Sequence, residues 1–186
     1  MSTALAIASV TQVLKDLLND GLINNDVTGS LGTTVSVSAT SPDRIDTSVA
    51  NEQSQLNLFM YQVSINTGWR NIGLPSHSAS GDRISNPPLA LDLHYLLTAY
   101  GANELHPEIL LGYGMKLLHE TPVLAREAIR KSLTGPFTNL SLNSLPLSLR
   151  ALSSSNLAEQ VEQIKITPEQ LSAEELSKFW TAFQAK

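Results

Sequence analysis

Two apolar stretches decide how this chain folds: QLNLFMYQVSI at residues 55–65 and LALDLHYLLTAY at residues 89–100. Successive side chains of a strand point to opposite faces. In the first stretch Leu56, Leu58 and Met60 then share one face, and Phe59, Tyr61, Val63 and Ile65 the other. Apolar residues on both faces predict a strand in the middle of a sheet. In the second, Leu89, Leu91, Leu93, Tyr95 and Leu97 alternate on one side, while Ala90, Asp92, His94 and Leu96 take a more polar side. Pro87-Pro88 sits where a strand starts and no ladder N–H is needed.

Outward from these strands the pattern is helical and irregular. Ser2 or Thr3 can cap a first helix running to about Asn19, with Ile7, Val10, Leu14, Leu17 and Leu18 on one face and Gly21 placed to end it. Thr33–Ala39 alternates Val35, Val37 and Ala39 with polar residues, as a half-exposed strand does. A helix is predicted over His106–Glu120, with Pro107 in its first turn and Ile109, Leu110, Tyr113, Leu117 and Leu118 as its buried stripe. A second follows near Leu124–Leu133. Leu140, Leu142, Leu145, Leu147 and Leu149 are too many leucines for a solvated loop, and either cover the core or contact a neighbour. Leu157–Ile166 returns to strand-like alternation. Ser172 and Glu175 have capping-box spacing and open a last helix carrying Leu176, Phe179, Trp180 and Phe183. The sum is an α+β chain forming one domain over residues 1–186, a mixed or antiparallel sheet flanked by helices.

Composition narrows the function. Charged residues make up 16% of the chain and hydrophobic ones 42%, so the polar surface comes largely from uncharged side chains, which suits protein contact. A net charge of −5 and scattered Lys and Arg argue against nucleic acid, which needs several positive charges on one face. The closest basic set is Arg126, Arg130 and Lys131. The absence of cysteine removes disulfides, thiolate metal sites and a Cys nucleophile. No run approaches the roughly 20 apolar residues of a membrane-spanning helix, and the N-terminus lacks the basic region of a secretory signal. No insertion into a membrane is expected.

Chemistry-bearing patterns are sparse. P-loop, nucleophile-elbow and zinc-protease motifs are missing. Gly112-Tyr113-Gly114 falls inside a predicted helix with no third glycine, so close helix packing explains it better than a dinucleotide fingerprint. Asp92 and His94 share a strand face, but two ligands do not make a metal site. A Ser/His/acid triad assembled from distant positions stays open. The expectation is a protein with no catalytic, cofactor-binding or metal-binding residues. Trp69 and Arg70, a large aromatic beside a guanidinium in a loop of small residues, are the candidate interface anchors.

Several segments together resemble one family. They are ALAIA (4–8), QLNLFMYQ (55–62), Trp69-Arg70-Asn71, PPLALDLHYLLTAYG (87–101), HETPVL (119–124), VEQIKITP (161–168) and LSKFW (176–180). Their order and spacing resemble the tail-terminator, or cap, proteins of extracellular contractile injection systems, which are headless phage-tail-like particles. The resemblance implies a phage tail-terminator-like fold. It also implies a homo-hexameric ring seated on the terminal sheath ring and inner tube ring, assembled in the bacterial cytoplasm as part of a released or membrane-anchored particle. The family pattern continues past the last helix into another strand, whereas this sequence stops at Lys186, so the last sheet edge is expected to be either covered by a neighbouring chain or continued by residues beyond Lys186. Two other readings stand beside it: a small hydrolase or metal-dependent enzyme with a loop-borne site, and a non-ring adaptor for an extended partner segment.

Overall fold

The computed structural model describes residues 4–46, 53–70, 77–84, 89–134, 151–159 and 163–184. Helix α1 (Ala6–Asn24) and the short helix α2 (Val27–Leu31) lead into strand β1 (Val35–Ser38). Strand β2 (Ser54–Ile65), a single turn α3 (Thr67–Arg70) and strand β3 (Leu91–Tyr100) follow. After them come α4 (His106–Glu120), β4 (Val123–Leu124), α5 (Arg126–Thr134), β5 (Ile164–Lys165) and α6 (Ala173–Gln184). The sheet is mixed, in the order β1-β2-β3, with β1 parallel and β3 antiparallel to β2. The α+β class expected from the sequence holds, and β2 is the central strand.

Burial explains why the sheet needs α1 and α4. Leu56 and Leu58 are almost fully buried and pair with Ala99 and Leu97. Residues directly opposite in a ladder share a face, so these four build one apolar surface. Val10, Val13, Leu14, Leu18 and Leu22 of α1 and Leu110 of α4 complete the core against it. Two glycines permit the close approach. A methyl group on Gly114 would lie 2.9 Å from Leu56 Cδ2, and one on Gly21 would overlap Leu117. The opposite face of β2 carries a buried amide, Asn57. Its Oδ1 accepts from Ser38 Oγ at 2.9 Å and Thr40 N at 3.0 Å, and its Nδ2 donates to Thr40 O at 3.0 Å. A buried amide must have such partners, and these tie the end of β1 to the central strand.

Several sequence expectations are corrected. Helix α1 runs through Gly21 to Asn24, because that glycine serves the crossing with α4 and not a helix end. Its Ser2/Thr3 cap lies outside the described residues. Leu124 belongs to β4 and is buried, so α5 begins only at Arg126. Of Leu157–Ile166, residues 157–159 form a 3-10 turn and, among the described residues, only Ile164–Lys165 pair, with β4; residues 160–162 lie outside the described residues. Ile109 is exposed, and a methyl group on Gly112 would meet nothing within 4 Å, while Gly114 does pack closely. The leucine-rich segment from Leu140 to Leu149 lies outside the described residues.

Candidate docking surface

A register shift at Tyr61 divides β2. Met60 pairs with Tyr95 and Gln62 with His94, so Tyr61 is an extra residue without an opposite number. An extra residue resets the alternation. Val63 and Ile65 therefore stand opposite Leu93 and Leu91, on the face of Leu58 and Met60, not on that of Phe59 as simple alternation predicts. Beyond the shift the cover runs out. β1 pairs only with Ser54–Asn57, and Val63 and Ile65 are 42% and 52% exposed. At the far end of the β2–β3 ladder Val63 and Ile65 are thus exposed, while Leu91 and Leu93 opposite them are half-buried.

Among the described residues β3 has a ladder neighbour on one side only, over all ten of its residues. A strand edge of that kind leaves N–H and C=O groups available to another chain.

The polar face of the same ladder is built around His94. Its Nδ1 lies 2.8 Å from Glu169 Oε2 and its Nε2 3.0 Å from Ser64 Oγ. An ionised carboxylate only accepts, so Nδ1 donates to Glu169, and the direction of the Nε2–Ser64 bond follows from the ring's tautomer. Tyr61 donates to the same carboxylate oxygen at 3.2 Å and meets Phe179 of α6 edge-on, with centroids 4.6 Å apart. Desolvation first, and then Glu169, push the Tyr61 hydroxyl above its ordinary pKa. Ser64 and His94 are 30 residues apart, and His94 and Glu169 are 75 apart. No local motif links them; the only legible signal was that Asp92 and His94 fall on the polar side of their strand.

Helix α6 starts from the predicted capping box. Glu175 Oε2 accepts from Ser172 N at 2.9 Å and Ser172 Oγ at 2.7 Å, and Ser172 Oγ accepts from Glu175 N at 3.3 Å. The backbone bond from Ser172, then its hydroxyl, hold the Glu175 carboxyl below the usual carboxylate range. Leu176, Phe179 and Trp180 border a cleft of about 20 Å³ with Pro42, Leu96 and Thr98. That is room for about one water molecule.

The sequence-predicted anchors are placed only in part. Trp69 is half-buried in α3, and its N–H donates to Asn66 Oδ1 at 2.9 Å. Arg70 closes α3, and its side chain lies outside the described residues. Asp92 accepts from Asn66 Nδ2 at 2.8 Å, so it and His94 have separate partners. Among the described residues, no three His, Asp or Glu side chains are grouped to hold a metal. The basic set is matched by acids: Arg130 bonds Glu159 at 2.7 Å, and Lys131 lies 3.8 Å from Asp20.

These features define a class: an α+β domain whose β3, among the described residues, has a ladder partner on one side only, and whose β2–β3 ladder ends in the exposed Val63 and Ile65. The chain belongs to the Pvc16 N-terminal domain family, whose model matches residues 9–186. That family is tied to phage tail-like, contractile injection systems and suggests a structural role related to them. Comparison with curated proteins gave no match, and neither did comparison with solved structures. Among the described residues, no helix is long and apolar enough to cross a membrane.

Proposed function

We propose that this chain is a structural cap that terminates and joins the inner tube and contractile sheath at the distal end of a contractile injection particle, as a hexameric ring. The observation that supports this reading beyond the family is the ten-residue edge of β3, which has no ladder partner among the described residues. Tube and sheath grow by heterologous stacking, which does not close along the axis. A terminator must bind the last ring and offer no equivalent face for another. An open edge lets an extended arm of a neighbouring subunit join as a further strand, with backbone bonds supplying much of the affinity. The task needs shape and hydrogen-bonding edges, and neither catalysis nor a cofactor. Its partners are copies of itself and the terminal sheath and tube rings, without nucleic acid or membrane insertion. The place of assembly is the bacterial cytoplasm, before the particle is released or anchored.

Imaging particles from a deletion strain tests this. The expected result is assemblies of abnormal length, or tubes that lose their sheath. Normal-length, contraction-competent particles would overturn it. At the level of one residue, Trp69→Ala should weaken assembly by about 2 kcal/mol while the isolated chain keeps its melting temperature. An equal loss of monomer stability would show that Trp69 serves the fold.

A second reading has one observation in its favour. Ser64, His94 and Glu169 stand at the distances of a Ser-His-acid triad. Against it, Ser64 lies within the paired part of β2, and the small cleft on this face is lined by neither Ser64 nor His94. Hydrolysis of a p-nitrophenyl ester that is lost in Ser64→Ala would establish this reading; equal rates in both proteins would remove it. A non-ring adaptor would use the same β3 edge. Negative-stain images separate it from the cap, because only the cap forms rings or decorates one particle end.

A further inference from the structure

The two glycines of α4 have different surroundings. Gly114 admits Leu56 and Leu97, whereas among the described residues a methyl group on Gly112 would meet nothing within 4 Å. Gly112 lies in the middle of the helix and is exposed. Glycine is the poorest helix former after proline, so the fold gives no reason for it there. Its neighbours on the outer face are not those of a simply solvated helix. Ile109 and Met115, three residues to either side, are 39% and 61% exposed. Glu108 and Lys116, four residues to either side, are exposed and of opposite sign.

That pattern is symmetric about Gly112, and the symmetry selects the occupant. A two-fold axis through Gly112 that pairs α4 antiparallel with a copy of itself sets each residue opposite the one equally far beyond the glycine. Ile109 then meets the partner's Met115, and Glu108 meets the partner's Lys116, each of them twice. Leu105, exposed at the start of the helix, meets the partner's His119. Glu104 and the partner's Glu120 meet only at the margin, where water and salt screen like charges. The missing side chain falls where the two helices come closest.

We propose that the outer face of α4 is a two-fold contact with a second copy of this chain, the helices crossing at Gly112. Such a contact is isologous, whereas members of a cyclic ring meet through two different patches. It therefore lies outside the ring proposed above and joins two chains that are free or belong to separate rings. One helix face is well below the roughly 800 Å² per partner of a standard interface, so the dimer is weak.

Sedimentation equilibrium of the full chain, taken up to millimolar concentration, reads the contact. A monomer–dimer equilibrium is expected. Glu108→Lys and Lys116→Glu should each weaken it by about tenfold, because each turns two attractive pairs into repulsive ones. An equimolar mixture of these two variants should recover a mixed dimer, and the double variant should recover a dimer by itself. Gly112→Gln should abolish the dimer while the melting temperature stays level or rises, since glutamine is the better helix former. A monomer at every concentration would overturn the contact, as would a dimer indifferent to all these changes. A Gly112→Gln chain that melts several degrees lower would also overturn it, by showing the face to be covered within the chain. Rings are scored separately by negative stain, so the ring reading stands or falls on its own.

Discussion

The two halves of β2 have the same kind of sequence and opposite surroundings. In Ser54–Leu58, Leu56 and Leu58 are 0% and 3% exposed, whereas beyond Tyr61, Val63 and Ile65 are 42% and 52% exposed. The first half lies between β1 and β3 and under α4; among the described residues the second has only β3 as a ladder neighbour. Apolar alternation therefore produced a strand along its whole length, but cover came only where neighbouring elements reached. Apolar surface left bare next to an open sheet edge marks a place for another chain. The first half serves the fold, and the second is the surface that the proposed assembly would use.

The largest effect should come from the covered half. Leu56→Ala removes a fully buried side chain that packs against Gly114 and should cost about 3 kcal/mol by transfer and cavity terms together. Urea unfolding reads it directly. If Ile65→Ala cost as much, the contrast between the halves would break.

Asn57→Ala comes next, at about 2 kcal/mol. The amide is fully buried, and its removal leaves Thr40 N and O without their partner inside the protein. The loss should appear in the equilibrium midpoint. A midpoint unchanged from the parent would mean that water takes over these bonds and that the β1–β2 junction is more open than its geometry indicates.

These positions also show how much was legible beforehand. Strand cores, the helix His106–Glu120 and the Ser172–Glu175 cap follow from short-range periodicity and capping chemistry, which act within a few residues. The bulge at Tyr61 did not, because an inserted residue changes register without altering composition, and it carried Val63 and Ile65 to the other face. Gly21 misled for a related reason: a glycine that admits Leu117 looks in sequence like one that ends a helix. Leu124 was taken into a helix because its strand partner, Ile164, lies far along the chain. The Ser64–His94–Glu169 chain is long-range for the same reason, whereas Trp69 could be singled out locally as a residue type without its surroundings being known.

A smaller effect, about 1 kcal/mol, is expected for Tyr95→Phe. Tyr95 joins β3 to α1 through Thr11 at 2.7 Å, and the Thr11 hydroxyl also reaches Ile7 O at 3.2 Å, so it keeps a partner in the variant. Burial pushes the Tyr95 hydroxyl above its ordinary value of 10.0, against a weaker lowering by Thr11. The sign follows from linkage. The unfolded chain gives up this proton first, so the contribution is complete below 10.0 and is lost as pH rises through the folded value. Tyr95→Phe should flatten that alkaline limb. Glu159, lowered by its bond to Arg130, and Glu175 act on the opposite limb. Their contributions are present above 4.5 and fade as pH falls below it. Alkaline melting curves that match in parent and variant would place the proton release elsewhere.

The smallest effect on stability belongs to the bare half. Val63→Ser and Ile65→Ser replace exposed side chains, and each should shift unfolding by no more than about 0.5 kcal/mol. β-branched residues favour a strand over serine, so the shift should be a slight loss. The useful measurement sets that loss beside assembly. If the bare face is a contact surface, the double variant keeps its melting temperature yet forms fewer rings at a given concentration, because removing apolar area weakens association roughly in proportion to the area lost. If ring formation is unaffected while the monomer is unchanged, the face is solvent-exposed in the assembly too, and contact between copies rests on the β3 edge. If instead the monomer loses as much as Leu56→Ala, both halves of β2 belong to one core, and the division of labour at Tyr61 is wrong.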